Sequence, residues 1–577
     1  MNAFIVTARQ AARMPRWLLI TVCLLYAVPG LVGRDPWRFF DAAGFGVAWS
    51  FAQLPLGAAW LTPSVAGQSS PEFGPLPFWV AALAMKALPG VAADQIMRLV
   101  TLAGLLLLMA SLWYALLRVA RRPRMQPADP FGASASATDF ARSVADSGLL
   151  LMLACVGLIA RAHETTAETA QLVLIGGFLF ACAWGLERPR LGGALVGVLI
   201  AASLLTRGVA PALALTLVAL LLPVASRGWR LVWPGFLGVA LPVAVLGALP
   251  WPLALMAEGP LGIAHLMAWW QVQLSPWISP ASGLAGSLAS AVQTLPWFLW
   301  PAWPIALWTL WQWRHRIDQP AIVLPSLSLL ALGLVVVCAP SANEAGLLVL
   351  APPAAMLAAF GLSTLRRSLG ALIDWFAVMS FSLLGLALWL YWIALQTGWP
   401  VRMAASVQRA VPGFTPELHL LELALALLVT AAWIALVVWR LARRPSAMWR
   451  PVALSSGGLV LSWALLMTLW LPAANHRNTY REVALQAAQA LTRETGCVQG
   501  VGLDLAQRAT FAYFGRIRFD PLASAPQESC PWRLEALRGA QRLPDRPGEA
   551  GQWEVRWQGA RAADRRERFT LLRRVHP

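Results

Sequence analysis

Arg34, Asp35, Arg38 and Asp41 stand together in the stretch GRDPWRFFDAAGFG (33–46) of a chain in which only 12% of residues are charged. Carboxylates interleaved with guanidiniums suit acid–base chemistry on an anionic substrate. A carboxylate accepts a proton as a general base, and nearby cations meet negative charge. Asp35 closely follows the first long apolar run, where a carboxylate can sit at the mouth of a cavity. A salt bridge from Asp35 to Arg34 or Arg38 that only fixes the loop is the competing reading, and Asp41 carries the same alternative.

Further charges fall on what the topology below makes the same side. They are Glu72, Lys86, Asp94 and Arg98 in the rest of the first loop, and Arg161, His163, Glu164 and Glu168 in ARAHETTAET (160–169). Arg207 follows in the turn TRGV, and Glu258 and His265 in the segment 251–285. His163 and Glu164 with Glu168 resemble half of a divalent-metal site, because residues four apart share a helix face. A capped helix start explains the same spacing. Glu72 and His265 complete the candidate metal set. Lys86, the chain's single lysine, also suits snorkelling from an interfacial helix, and Arg207 an interfacial anchor.

These residues need a scaffold, and composition says which kind. The chain of 577 residues is 58% hydrophobic, while soluble domains carry about twice its charged fraction. Apolar runs long enough to cross about 30 Å of hydrocarbon recur from end to end. The formal charge of +18 sits in short loops between those runs, such as RVARRPR (118–124), ERPR (187–190), SRGWR (226–230), RHR (314–316), LRR (365–367) and RLARRP (440–445). That is the positive-inside pattern of a membrane protein, and it excludes nucleic acid as partner. The sequence reads as a polytopic α-helical membrane protein.

The arginine-bearing N-terminus is expected in the cytoplasm, with 17–33 a retained span. If 34–96 is one outer loop with half-buried amphipathic pieces, every arginine-rich loop lands inside. Further spans are then expected near 97–118, 147–162, 169–186, 191–206, 209–226, 231–250, 286–312, 320–339, 344–363, 371–395, 417–439 and 452–471. With the first they make about thirteen, which puts the C-terminus outside. The segment 125–139 reads as an inner loop. The membrane region is thus 1–472.

From about Asn475 the composition turns charged and mixed. NTYREVALQAAQALTRE has helical periodicity, and CVQGVGLDL, RIRFD, WEVRW and RFTLLRRV alternate as strands do. Residues 473–577 are expected to form a soluble α/β domain in the periplasm. Cys497 and Cys530 could pair in that oxidising compartment. The other four cysteines lie in apolar runs, as small core residues do.

In order and chemistry these features resemble the membrane-embedded C-type glycosyltransferases, in particular the aminoarabinose transferase and protein O-mannosyltransferase superfamily. RDPWRFFD resembles that family's Arg-Asp-Glu-x-Arg-Tyr-x-Glu motif of the first outer loop. FGPLPFWVAALAMKALPG (73–90) resembles its Lys-Pro-Pro-Leu-x-x-Trp helix, and LLTRGVAPAL (204–213) its Leu-Thr-Lys-Gly-Pro turn. Pro36, Gly74 and Arg207 stand where the family commonly has glutamate, lysine and lysine, which marks a divergent member.

The resemblance implies transfer of a sugar from a polyprenyl-phosphate donor to an envelope acceptor at the outer face, in a bacterial inner membrane. The acceptor would be lipid A, another glycan or a protein. Asp35 would be the catalytic carboxylate. Arg34, Lys86 and Arg207 would meet the donor phosphate, and Arg38 with Asp41 would hold the loop. Glu168 lies near the family's second acid, and with Asp41 would serve as second acid or acceptor group, with a divalent metal as a candidate cofactor. The rival is a multi-spanning lipid or sugar transporter or flippase. Transporters typically show paired repeats and interrupted helices at the midplane; here no repeat is visible and the charges gather at one face.

Overall fold

The structure is a computed structural model. It describes residues 6–7, 10–11, 14–127, 135–278, 283–338, 344–365, 367–442, 450–491, 496–520, 530–538 and 553–575. Among these, nine helical stretches are long and apolar enough to cross a membrane: Ala93–Ala120, Ala167–Gly185, Pro189–Arg207, Trp233–Ala257, Pro320–Cys338, Glu344–Thr364, Ser368–Thr397, Leu420–Arg440 and Val452–Leu469. Arg16–Ala27, Leu76–Ala87 and Val209–Ala225 are shorter apolar helices. The inner loop expected over 125–139 lies partly outside the described residues, as do the arginine loops 365–367 and 440–445.

Three expected spans differ: that at 17–33 is the shorter helix Arg16–Ala27, and two others differ for linked reasons. The span expected at 147–162 is a helix over Ala137–Leu153. It starts earlier because Ser136 caps it, accepting from the Asp139 N–H at 3.1 Å. It keeps Asp146 buried because the Trp113 indole donates to that carboxylate at 2.8 Å and Arg16 at 3.3 Å. Hydropathy alone places the start after these polar residues. The span expected at 286–312 is two helices, Gly283–Phe298 and Ala302–Gln312, since Pro301 has no N–H to continue the ladder. Carbonyls freed at that break accept from the segment after Leu153: Val156 N–H donates to Trp300 O at 3.2 Å and Gly157 N–H to Phe298 O at 2.9 Å. Gly157 allows that approach, because a Cβ there would lie 2.2 Å from the Phe298 ring.

The chain forms two compact units. One comprises Met1–Leu31, Thr101–Ala387 and Ala424–Thr468; the other comprises Val32–Val100, Leu388–Leu423 and Leu469–Pro577. In the first, helices Pro189–Arg207 and Trp233–Ala248 pack backbone to backbone. A Cβ on Gly193 would lie 2.2 Å from Phe236 O, and one on Gly197 2.4 Å from Ala240 O. Small residues four apart permit such approaches between membrane helices. A carbonyl oxygen in a helix cannot move aside as a side-chain tip can. Gly197→Leu is therefore expected to cost about 3 kcal/mol or more through overpacking, read as a lower melting midpoint in detergent. An unchanged midpoint would mean that the two helices are not in contact there.

The second unit brings the first loop together with the C-terminal region, which the sequence-based division keeps apart. A hairpin, β1 (Ser64–Val65) and β2 (Gln68–Ser69), follows helix Phe40–Gln53. Strands β3 (Val498–Val501), β4 (Trp532–Arg538), β5 (Trp553–Arg561) and β6 (Asp564–Arg574) form one sheet in the order β3-β4-β6-β5. β3 runs parallel to β4; the other pairs are antiparallel. RIRFD, expected as a strand, gives only a bridge from Phe519 to Val498. Helices Arg481–Ala490 and Leu505–Phe514 contribute to a core of Tyr480, Phe511, Trp532, Leu534, Phe569 and Leu571. Helix Phe40–Gln53 lies on helix Leu505–Phe514 at Gly46, where a Cβ would meet the Ala509 Cβ at 2.4 Å.

A disulfide joins Cys497 to Cys530, tying the starts of β3 and β4. Changing both cysteines to serine is expected to destabilise this unit by about 2–5 kcal/mol. Thermal melts of the two proteins without reductant would show it, and equal midpoints would mean that the sheet holds without the bond.

Candidate functional site

The site in the second unit is built around the loop from Gly33 to Phe39. Gly33 turns the chain with φ +73°, a backbone conformation that glycine adopts without a Cβ penalty. Asn475 then brackets the loop. Its amide donates to Gly33 O at 2.9 Å, while its Oδ1 accepts from the Asp35 N–H at 3.2 Å and the Trp37 indole at 2.9 Å. A backbone bond from Arg38 N–H to Asn478 O at 2.7 Å extends the clamp.

Asp41 holds the loop from beneath. Arg98 donates to both its oxygens, at 3.0 and 2.7 Å, and Arg34 to one at 3.3 Å. The Trp37 N–H reaches the same carboxylate at 3.0 Å. Arg98 also donates to the Asp35 carbonyl at 2.9 Å, so the Asp41 anchor fixes the backbone of the neighbouring acid. Arg34 lies over the Trp37 ring, 3.8 Å from its centroid. Bidentate geometry is what a planar guanidinium supplies and an ammonium does not. Arg34 is buried against Asp41. Asp41 is held by Arg34 and Arg98, while Arg38 lies over the Phe39 ring at 4.8 Å.

The Asp35 side chain points the other way and is 12% exposed. Arg481 donates to it at 3.2 Å, and the Thr479 hydroxyl bonds to it as well. Burial raises the Asp35 pKa above the usual carboxylate range; Arg481 opposes this, and the Asp94 carboxylate adds to it. Asp94 accepts from the Tyr513 hydroxyl at 2.8 Å. A carboxylate made more basic than usual, yet reachable, is equipped to take a proton. Asn475, Thr479 and Arg481 were not identified from sequence as site residues. The one available signal was the run of polar residues, NHRNTYRE, directly after an apolar span.

The remaining candidates are placed as follows. Lys86 ends helix Leu76–Ala87, exposed, 6.0 Å from the Trp60 ring centroid. Glu72 is exposed just before that helix. In the other unit, Glu168 pairs with Arg207 at 3.1 Å, joining the first turn of helix Ala167–Gly185 to the last turn of helix Pro189–Arg207. Glu164 pairs with Arg161 at 2.9 Å. Both His163 nitrogens lie against backbone carbonyls, of Ile159 at 2.7 Å and Tyr26 at 2.8 Å. His265 is buried on helix Pro260–Ile278.

Glu164 and Glu168 do not share a helix face, because the helix starts at Ala167 with Thr166 as its cap, accepting from Thr169 N–H. Among the described residues no group of three or more histidine, cysteine, aspartate or glutamate side chains converges as a metal site. The residues read as a metal half-site are thus engaged with Arg161, Arg207 and backbone carbonyls.

No protein-family model matches the chain, and no curated protein matches it. Solved structures do, and two of them align over almost the whole chain. The crystal structure of ArnT from Cupriavidus metallidurans bound to undecaprenyl phosphate aligns with a TM-score of 0.68 at 18% identity, covering 96% of this chain and 97% of that one. The apo structure of the same ArnT aligns with a TM-score of 0.63 at 17% identity over the same shares. Agreement over almost the whole of both chains, at such identity, is agreement of architecture, and the chain has the C-type glycosyltransferase fold in the form seen in ArnT.

Proposed function

We propose that this protein is a polyprenyl-phosphate-sugar-dependent glycosyltransferase, moving a hexose or pentose to a lipid A, glycan or protein acceptor at the outer face of a bacterial inner membrane. The observation that carries this is the Asp35 carboxylate: reachable, raised in basicity, and set on a loop fixed by Asn475 and the Arg98–Asp41 pair. The fold adds support, since ArnT of the same architecture has been seen with undecaprenyl phosphate bound.

The step balances simply. An acceptor oxygen attacks the anomeric carbon, the bond from that carbon to the lipid phosphate oxygen breaks, and the acceptor proton passes to Asp35. Polyprenyl phosphate leaves with its bonding electrons. Lys86, Arg207 and Glu168 would take the roles that the resemblance implies. Arg34 and Asp41 position the loop. The N-terminus would be cytoplasmic, and 34–96 and 473–577 periplasmic, where the Cys497–Cys530 bond suits an oxidising compartment.

The test is a panel of radiolabelled undecaprenyl-phosphate sugars incubated with the purified protein and an envelope extract, repeated with Asp35→Asn. Label moving to a new product only with the unaltered protein supports the reading and names the donor. Neither transfer nor donor hydrolysis across the panel, with folded protein, would sink it in favour of transport.

A further inference from the structure

Three guanidiniums pair with the acids Asp35 and Asp41 of the loop from Gly33 to Asp41, and their exposure separates them. The side chains of Arg34 and Arg98 are 1% and 5% exposed and lie on Asp41. That of Arg481 is 53% exposed. Its guanidinium meets the Asp35 carboxylate at 3.2 Å and the face of Phe514, with the ring centroid 5.1 Å away. The Asp35 backbone depends on neither, since its N–H is held by Asn475 and its carbonyl by Arg98. Arg481 can therefore leave Asp35 without unfastening the loop.

We propose that Arg481 is a further phosphate-binding residue of this site and that it exchanges partners, pairing with Asp35 when no ligand is present and turning to a lipid phosphate when one binds. The inference rests on the glycosyl-transfer reading for the role of that phosphate, although the binding itself requires no transfer. A half-exposed ion pair with one nitrogen–oxygen contact is worth little. A phosphate offers three acceptor oxygens and more charge, and a guanidinium meets it with two parallel bonds. The flat Phe514 ring gives the guanidinium a surface that it keeps in either position.

The exchange couples binding to chemistry. The charges facing Asp35 are Arg481, which favours its ionised form, and Asp94, which opposes it; Thr479 and Tyr513 complete the surroundings. When Arg481 turns to phosphate, the influence of Asp94 on Asp35 is still opposed by the Thr479 hydroxyl but no longer by the guanidinium. The carboxylate then becomes more basic at the moment a substrate is in place. Without substrate it stays neutralised by the same guanidinium.

The experiment measures binding of the full-length protein in detergent to undecaprenyl phosphate, to undecaprenol, and to lipid A carrying phosphate but no polyprenyl chain. Arg481→Gln is expected to weaken the phosphate-bearing lipid by about tenfold or more and to leave undecaprenol unchanged. Arg481→Lys, which keeps the charge but not the fork, falls between. Asp35→Asn releases the guanidinium and is expected to tighten phosphate binding by about two- to fivefold, and the Asp35→Asn, Arg481→Gln double variant loses that gain. A purely structural Arg481 would give no such tightening. Whichever phosphate lipid responds identifies whether the donor or the acceptor supplies the phosphate. Equal binding of both phosphate lipids by Arg481→Gln and the unaltered protein, or no tightening in Asp35→Asn, overturns the exchange. The expected binding pattern without sugar transfer would instead overturn the proposed reaction and leave the exchange standing.

Discussion

Asp35→Asn is expected to lower kcat by about 10²–10⁴-fold, the range ascribed to a positioned general base, while the protein stays folded. Stability separates from activity here for a physical reason. Burial and Asp94 outweigh Arg481, so the folded site disfavours the ionised carboxylate relative to water. Because the folded pKa lies above the unfolded one, ionised Asp35 opposes folding above that pKa, and a neutral amide of the same shape relieves the cost. The pH dependence carries the same sign. A base must be ionised, so kcat/KM should fall as pH drops through the raised pKa, at a higher pH than an ordinary carboxylate would give. Arg481→Gln removes an influence that lowers the pKa and should move this acid limb up. Asp94→Asn removes one that raises it and should move the limb down. Profiles of kcat/KM against pH for the three proteins check this, and coincident limbs would remove Asp35 from the role of base.

How much of this was legible in the sequence follows from the range of each interaction. The helices announce themselves through hydropathy, a local property, and most expected spans coincide with helices to within a few residues. The misplaced span at 147–162 failed where a buried polar group is paired far away. Asp146 looks costly until the Trp113 indole is known to donate to it. The same limit governs the site. Asp35 and Asp41 stood out as charges in a charge-poor chain, but nothing local tells which cation each acid takes. Arg34 and Arg38 are the sequence neighbours, yet Arg98 and Arg481 make the decisive contacts, through folding that brings the first loop against the segment after the last span. The reading of Glu164 and Glu168 as one helix face failed at an element boundary, because Thr166 caps the helix between them. Spacing rules hold only inside a continuous element.

Asp41→Ala is expected to be the most destabilising single change in the second unit. The carboxylate is buried and shared by Arg98, Arg34 and the Trp37 N–H. Taking it away removes the counter-charge of two buried guanidiniums, which costs about 3–5 kcal/mol when one partner of a buried pair is lost. The pair need not be a net source of stability, since charges buried together repay little more than their desolvation. A double variant distinguishes the two ideas. Asp41→Leu with Arg98→Met exchanges a buried pair for apolar packing and should recover part of the melting midpoint lost in Asp41→Ala, the remainder being the contact that buried Arg34 still loses. It should not recover transfer, because Arg98 also donates to the Asp35 carbonyl and orients the acid. A double variant both stable and active would mean that the ionic anchor serves folding alone. Stability without activity would show that the buried charges are kept for the place they give Asp35.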